Sequence, residues 1–258
     1  MTEKQTHEGL VGRQFGTTAE AYLSSAVHAQ GADLAMLASL VAGLDRPRVL
    51  DLGCGAGHVS FNVAPHASEV VAYDLSSEML GVVAKAAADR GYSNISTRQG
   101  VVERLPFEDA SFDCVLTRFS AHHWQDFEAA LREAARVLKP GGTVGFTDTV
   151  TPGSPLLDTH LQTIELLRDP SHVRNYTRAE WDAAIGRAGF KLGAVAPFTL
   201  RIEFASWVAR MRTPQVLVDA IRALQATLSD KVERHFAVGP DGSFDLEAAF
   251  FQATKPAA

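Results

Sequence analysis

The chain has 258 residues, enough to bury a sizeable core, and its 46% hydrophobic and 21% charged content is that of an ordinary folded protein. A net charge of −6, with no Lys/Arg run, argues against a nucleic-acid partner held through phosphate contacts. Two cysteines, Cys54 and Cys114, lie far apart in apolar stretches, which excludes a disulfide framework and a CxxC metal site and fits a reducing compartment.

The N-terminus, Met1-Thr2-Glu3-Lys4, is polar and lacks an apolar core, so no signal peptide is expected. No window approaches the ~18 uninterrupted apolar residues of a membrane span, and the expected setting is the cytoplasm. Residues 1–27 are polar with isolated aromatics, Phe15 and Tyr22, and read as an arm with one short helix. Leu34, Leu37, Leu40, Val41 and Leu44 then fall at helical spacing, and Pro47 ends that helix. Arg48–Leu52 is a short buried strand stopped by a glycine cluster. From there strands and helices alternate: a helix from about Val59 to Pro65, a strand over Glu69–Asp74, and a helix from Ser76 or Ser77 to Gly91. Strands follow at 95–98 and 112–117, then a helix over 127–138 and a strand at 143–147. Repeated units of this length predict a parallel, doubly wound sheet.

After Thr151-Pro152-Gly153-Ser154-Pro155 the rhythm changes. Helices are expected at 156–168, 178–189 and about 203–229, with strands at 191–200 and 243–253. The reading is one domain over 1–258: an arm and first helix (1–45), a cofactor-binding core (46–150), and cap helices with closing strands (151–258).

A strand feeding a glycine-rich turn and then a helix offers backbone amides to a ligand. Dinucleotides and S-adenosylmethionine both use this device. Here glycines stand at 53, 55 and 57, and His58 occupies the third position of the dinucleotide fingerprint. S-adenosylmethionine has no pyrophosphate to cradle, so the tighter loop suits it better. Asp51 at the strand end can orient an ammonium or the loop amides, and Cys54 lies within the loop. Asp74 ends the second strand, where a carboxylate can accept both ribose hydroxyls or, alternatively, cap the following helix.

The segments Val49-Leu50-Asp51-Leu52-Gly53-Cys54-Gly55-Ala56-Gly57, Tyr73-Asp74-Leu75-Ser76-Ser77-Glu78-Met79-Leu80, Leu105-Pro106-Phe107, Ser111-Phe112-Asp113 and Arg136-Val137-Leu138-Lys139-Pro140-Gly141-Gly142 resemble the successive motifs of class I methyltransferases. The branch most similar includes the ubiquinone/menaquinone C-methyltransferases. Phe15, Ala19 to Leu23 and Arg168-Asp169-Pro170-Ser171-His172-Val173-Arg174 resemble a narrower group of bacterial proteins. The resemblance implies a Rossmann-like, mostly parallel seven-stranded sheet with an N-terminal helical arm and a helical cap inserted after the fifth strand. It implies S-adenosyl-L-methionine as cofactor, with Gly53 and Gly55 against it, Asp74 on the ribose and Leu75 on the adenine. Gly100, Val101 and Val102 should line the adenine edge. Val101 departs from the usual acidic residue, so a backbone carbonyl, Glu103, or apolar packing with the Val102 amide must hold that edge.

The fourth strand runs into Arg118-Phe119-Ser120-Ala121-His122-His123-Trp124, which should face the transferred methyl group. His122 or His123 is the candidate base, since imidazole titrates near neutrality, the alternative being that one caps the following helix or packs against Trp124. Arg118 is expected on an acidic acceptor or the cofactor carboxylate, with a surface ion pair as the alternative, and Phe119 beside the cofactor. Phe15 and Tyr22 are expected either over the cofactor or packed against the first helix, and His123, Trp124, His172 and Arg174 around a small-molecule acceptor. Trp181 and Trp207 fit helix-core positions, and His28 at the start of the first helix is a weaker candidate. A metal held by His122, His123, His160 and His172 is disfavoured, because adjacent histidines in extended chain point to opposite faces. The expected activity is methyl transfer by in-line displacement, in a monomer or homodimer without a membrane or nucleic-acid partner. The alternatives are a protein that binds the cofactor without transfer, or a nicotinamide-dependent oxidoreductase.

Overall fold

The computed structural model describes residues 6–16 and 31–257. Tyr22, His28 and the segment Ala19 to Leu23 lie outside them. Seven strands form one sheet: β1 (Arg48–Leu52), β2 (Glu69–Asp74), β3 (Ile95–Gln99), β4 (Phe112–Arg118), β5 (Leu138–Thr149), β6 (Lys191–Ile202) and β7 (Phe244–Thr254). Their order is β3-β2-β1-β4-β5-β7-β6, and β7 alone runs antiparallel, to both β5 and β6.

Alternation along each central strand splits the core into two layers. Val49, Val70, Cys114 and Leu116 point to one face, where they pack on Leu34, Leu37 and Val41 of α2 (Ala32–Ala42) and on Val59 and Val63 of α3 (His58–Val63). Leu50, Leu52, Val115 and Phe146 point to the other, against α5 (Phe127–Val137) and α7 (Arg178–Arg187). Each such large side chain removed from water contributes roughly 1.5–3 kcal/mol. The crossover after β2 is α4 (Ser77–Asp89), whose N-cap Ser76 accepts from Met79 N at 3.2 Å. In the arm, α1 (His7–Gly16) is the short helix expected there, and none of its residues is buried.

Beyond β5 the cap is built in two places rather than one. Helices α6 (Pro155–Arg168) and α7 follow β5, while α8 (Phe204–Arg210), α9 (Gln215–Gln225) and α10 (Asp230–His235) lie between β6 and β7. The continuous helix expected over 203–229 is broken because Arg212 adopts a left-handed φ of 51° and Pro214 caps the next helix without donating an amide. Helix α6 and the helices α8, α9 and α10 share a core of their own, with Leu161 and Ile164 of α6 against Trp207, Ile221, Phe236, Phe244 and Leu246. Strand β5 is longer than expected at its start, because Leu138 already pairs with Phe112 before the Gly141-Gly142 turn. Among the described residues no helix is long and apolar enough to cross a membrane.

Candidate active site

A cavity opens beyond the carboxyl ends of β1, β2 and β4, on either side of the point where the chain order reverses. Open parallel sheets bind ligands there because successive crossovers diverge to opposite faces and leave a crevice. Asp51, Gly53, Cys54, Gly55, Asp74 and Leu75 line it, as do Gly100, Val101, Val102, Arg118 and Phe119.

The glycine loop is fixed by backbone geometry. Gly53 has φ +65° and Gly55 +50°, in the left-handed region that other residues adopt at a cost. A Cβ on Gly53 would collide with the Ser120 hydroxyl, whereas a Cβ on Gly55 would meet nothing within 4 Å and project into open space. Gly53 N and Cys54 N both donate to Tyr73 O, at 2.8 and 3.0 Å, and Gly55 N donates to Asp74 Oδ2 at 2.8 Å. The second oxygen of Asp74 accepts from Ser76 N at 2.9 Å. Asp74 thus ties the loop to the second strand, and Ser76 caps the helix. Burial raises the Asp74 pKa against the pull of these amides.

Asp51 is 1% exposed and splits its carboxylate. Oδ2 accepts from Ser60 N and Oγ at 3.0 and 2.6 Å, while Oδ1 has no partner among the described residues. Burial pushes its pKa up to about 7. Along the edge expected to hold adenine, the Val101 carbonyl accepts from the Tyr73 hydroxyl at 3.0 Å. Glu103 Oε1 accepts from Gln125 N at 2.9 Å and Asp126 N at 3.3 Å. Arg118 is not a surface ion pair: it is buried against Asp33 of α2, with its guanidinium 4.9 Å from the Phe119 ring centroid.

Past β4 the chain turns through a single 3-10 turn, Ala121–His123, which corrects the opposite-face expectation for the two histidines. Both line the cavity, with ring centroids 4.2 Å apart. Among the described residues no group of three or more His, Cys, Asp or Glu is arranged to hold a metal. The two rings differ in chemistry. His122 Nδ1 lies 2.6 Å from Asp148 Oδ1, and Asp148 Oδ2 accepts from Ala121 N at 2.7 Å. In the neutral ring the accepting carboxylate places the proton on Nδ1 and the lone pair on Nε2, which has no partner among the described residues. Burial opposes charge on His122, but the combined pull of Asp148, Glu165 and Asp169 outweighs it and raises the pKa. His123 is spent on structure: its Nδ1 lies 3.0 Å from Ser171 O, and burial together with His122 pushes its pKa down to about 4.

Two expected acceptor residues do not line the cavity. His172 packs behind His122 with its Nε2 on Gln162 Oε1 at 2.9 Å, and burial pushes its pKa down to about 2. Arg174 turns outward to Asp158 and Glu180, at 3.6 and 3.4 Å, with 39% of its side chain exposed. Trp124 does line it, donating from Nε1 to Ser120 Oγ at 3.1 Å. Trp207 is buried as expected, yet also lines the cavity. Reading the sequence missed Asp148, Glu165, Arg168 and Asn175. Only Asp148 carried a signal, as an acid near the carboxyl end of a central strand.

Helix α1 lies across both halves. His7 Nε2 is 3.1 Å from His123 O, Glu8 accepts from Gln125 Nε2 at 2.7 Å, and the Phe15 ring meets His123 edge-on at 4.9 Å. Phe15 also packs against Ala56 and Met79 beside the glycine loop.

Comparison with known proteins agrees with this geometry. A family model described as a methyltransferase domain matches residues 50–146. The chain is 50% identical over 205 residues to the uncharacterized protein YafE of Escherichia coli (strain K12), covering 80% of this chain and 99% of that one. It is 35% identical over 246 residues to the uncharacterized methyltransferase YcgJ of Bacillus subtilis (strain 168), covering 93% and 97%. The crystal structure of YcgJ matches with a TM-score of 0.84 at 33% identity, covering 88% of this chain and 99% of that chain.

Proposed function

Since the chain belongs to the class I S-adenosylmethionine-dependent methyltransferases, we propose that it methylates a small-molecule acceptor held between the glycine loop and the helical cap. The observation that carries this reading is one cavity with two differently built ends, a bare-backbone loop and a His–Asp pair beneath the cap. S-adenosylmethionine, when bound, supplies a methyl group activated on a positively charged sulfur.

The residues present fit that group. The open space beyond Gly55 admits a ligand where a side chain would stand. Asp51 Oδ1, buried without a partner, is the natural receiver of an ammonium, whose charge would return that carboxyl to its ionised form. Asp74 keeps unused lone pairs for ribose hydroxyls beside its bonds to Gly55 N and Ser76 N. Val101 O and Glu103 already have protein partners, so Leu75 packing and the Val102 amide are assigned to the adenine.

At the other end, His122 holds a lone pair at Nε2 and takes a proton from an acceptor that must lose one. Positioning does the larger share, since alignment of nucleophile and methyl carbon supplies up to about 7–11 kcal/mol. Helix α1, lying against His123 and beside the glycine loop, is placed to shield this alignment from water. The oxidoreductase alternative falls with the family and with His58, which opens α3 where the dinucleotide fingerprint needs glycine. Calorimetry with S-adenosylhomocysteine and with NAD tests the cofactor: binding of the first alone is expected, and binding of NAD alone contradicts the assignment.

A further inference from the structure

The acceptor end holds a buried donor that the fold itself does not satisfy. Asn175 lies between α6 and α7, is 1% exposed and lines the cavity. Its main chain is clamped by Gln162, whose Oε1 accepts from Asn175 N at 3.1 Å and whose Nε2 donates to Asn175 O at 2.7 Å. Gln162 is itself fixed by His172 and Asp158. The side-chain Nδ2 of Asn175 has no acceptor among the described residues. Buried amide donors are almost always paired, so a clamped one left bare at a cavity wall points to an oxygen supplied by the ligand.

The surroundings narrow that ligand. Leu200, Ile202, Trp207 and Leu246 give this end an apolar wall. Glu165 and Arg168, 3.7 Å apart, offset each other's charge. Charged or titratable groups around His122 are Asp148, Glu165, Asp169, Arg168, His123 and His172, and each has a protein neighbour of its own. This end thus holds the carboxylates of Asp148, Glu165 and Asp169 and the guanidinium groups of Arg168 and Arg210, so neither sign of ligand charge is singled out. An amine would bring donors to Asn175 and leave Nδ2 unpaired.

We infer that the acceptor is a largely apolar molecule carrying an enol or phenol hydroxyl beside a carbonyl oxygen. The hydroxyl sits on His122 Nε2 and the carbonyl oxygen accepts from Asn175 Nδ2. In this pairing the O–H bond breaks, its proton joins Nε2, and the electron pair stays on oxygen; Asp148 balances the imidazolium. The inference rests on the proposed reading of the cavity as a methyl-acceptor site and names its substrate class.

The test uses 2′-hydroxy-5′-nitroacetophenone, a phenol with a neighbouring carbonyl that colours on ionisation, and 4-nitrophenol, which lacks the carbonyl. Each is titrated by absorbance into the full chain saturated with S-adenosylhomocysteine, whose binding is measured separately by calorimetry. The acetophenone is expected to bind as phenolate, with its apparent pKa lowered by about one unit or more. His122→Ala should abolish the ionisation. Asn175→Ala, and the isosteric Asn175→Asp, should weaken the acetophenone about tenfold and leave 4-nitrophenol unchanged. Absence of binding, binding as the neutral phenol, or equal effects of the Asn175 variants on both probes would overturn the inference while leaving cofactor binding intact. Failure of S-adenosylhomocysteine to bind would instead remove the functional reading beneath it.

Discussion

The end of the cavity proposed for the cofactor is made of main chain from two short stretches, and the end proposed for the acceptor of side chains from six separate elements. At the first end, residues 53–55 and 73–76 account for the fixed geometry through amides given to Tyr73 O and to Asp74. At the second, His122 follows β4, Asp148 sits in β5, Glu165 in α6, Trp207 in α8, Leu200 in β6 and Leu246 in β7. A backbone loop is fixed by conformational rules that act within a few residues. A side-chain wall exists only after the cap has packed, so it can diverge while the loop stays as it is.

The largest test of this separation is His122→Ala, which should lower kcat by roughly 10²–10⁴-fold and leave S-adenosylhomocysteine affinity unchanged. Steady-state kinetics beside calorimetry reads both, and a matched loss of affinity would break the comparison. Gly53→Ala attacks the other end. Its left-handed φ and the Ser120 hydroxyl should cost about 1–3 kcal/mol, read as a cofactor affinity roughly 10–100-fold weaker.

Acid stability sharpens the picture of the acceptor end. His172 and His123 are buried neutral with pKa values depressed to about 2 and about 4. As pH falls below the ordinary histidine value of about 6.5, the unfolded chain gains protons that these rings refuse, so stability falls. For His172 the loss is roughly 2 kcal/mol by pH 5. His122, with a raised pKa, acts oppositely and contributes stability that is lost as pH rises through its folded value. Thermal melts at pH 7 and 5 should show a drop in Tm that His172→Gln reduces; an unchanged drop would mean that His172 is not held neutral. Arg174→Ala is the smallest effect. Its ion pairs are partly exposed, so acceptor KM should change less than about twofold, and a tenfold rise would extend the acceptor chamber to that surface.

What the sequence made legible follows the same division. Strand, glycine turn, helix and Asp74 are local patterns, and the structure brings Asp51, Gly53, Gly55 and Asp74 to one cavity with Leu75, which only the family resemblance had singled out. The parallel, doubly wound core of the sheet followed from βα repetition. The break at Arg212–Pro214 was missed because apolar periodicity continues through it. Glu165 and Asn175 could not be found from spacing, since their direction depends on how α6 packs on Trp207, Phe236 and Leu246. Arg174 attracted attention as a charge beside an expected pocket, but Asp158 and Glu180 draw it outward. Both histidines were legible as candidates, and only the partner of each, Asp148 for one and Ser171 O for the other, separates their roles.

Incubating the protein with methyl-labelled S-adenosylmethionine and a pool of cellular metabolites tests the central claim most directly. Label should enter a small-molecule product with the wild-type chain, with transfer sharply reduced in His122→Ala. Cofactor binding without any labelled product, or label entering only nucleic acid or protein, would contradict it.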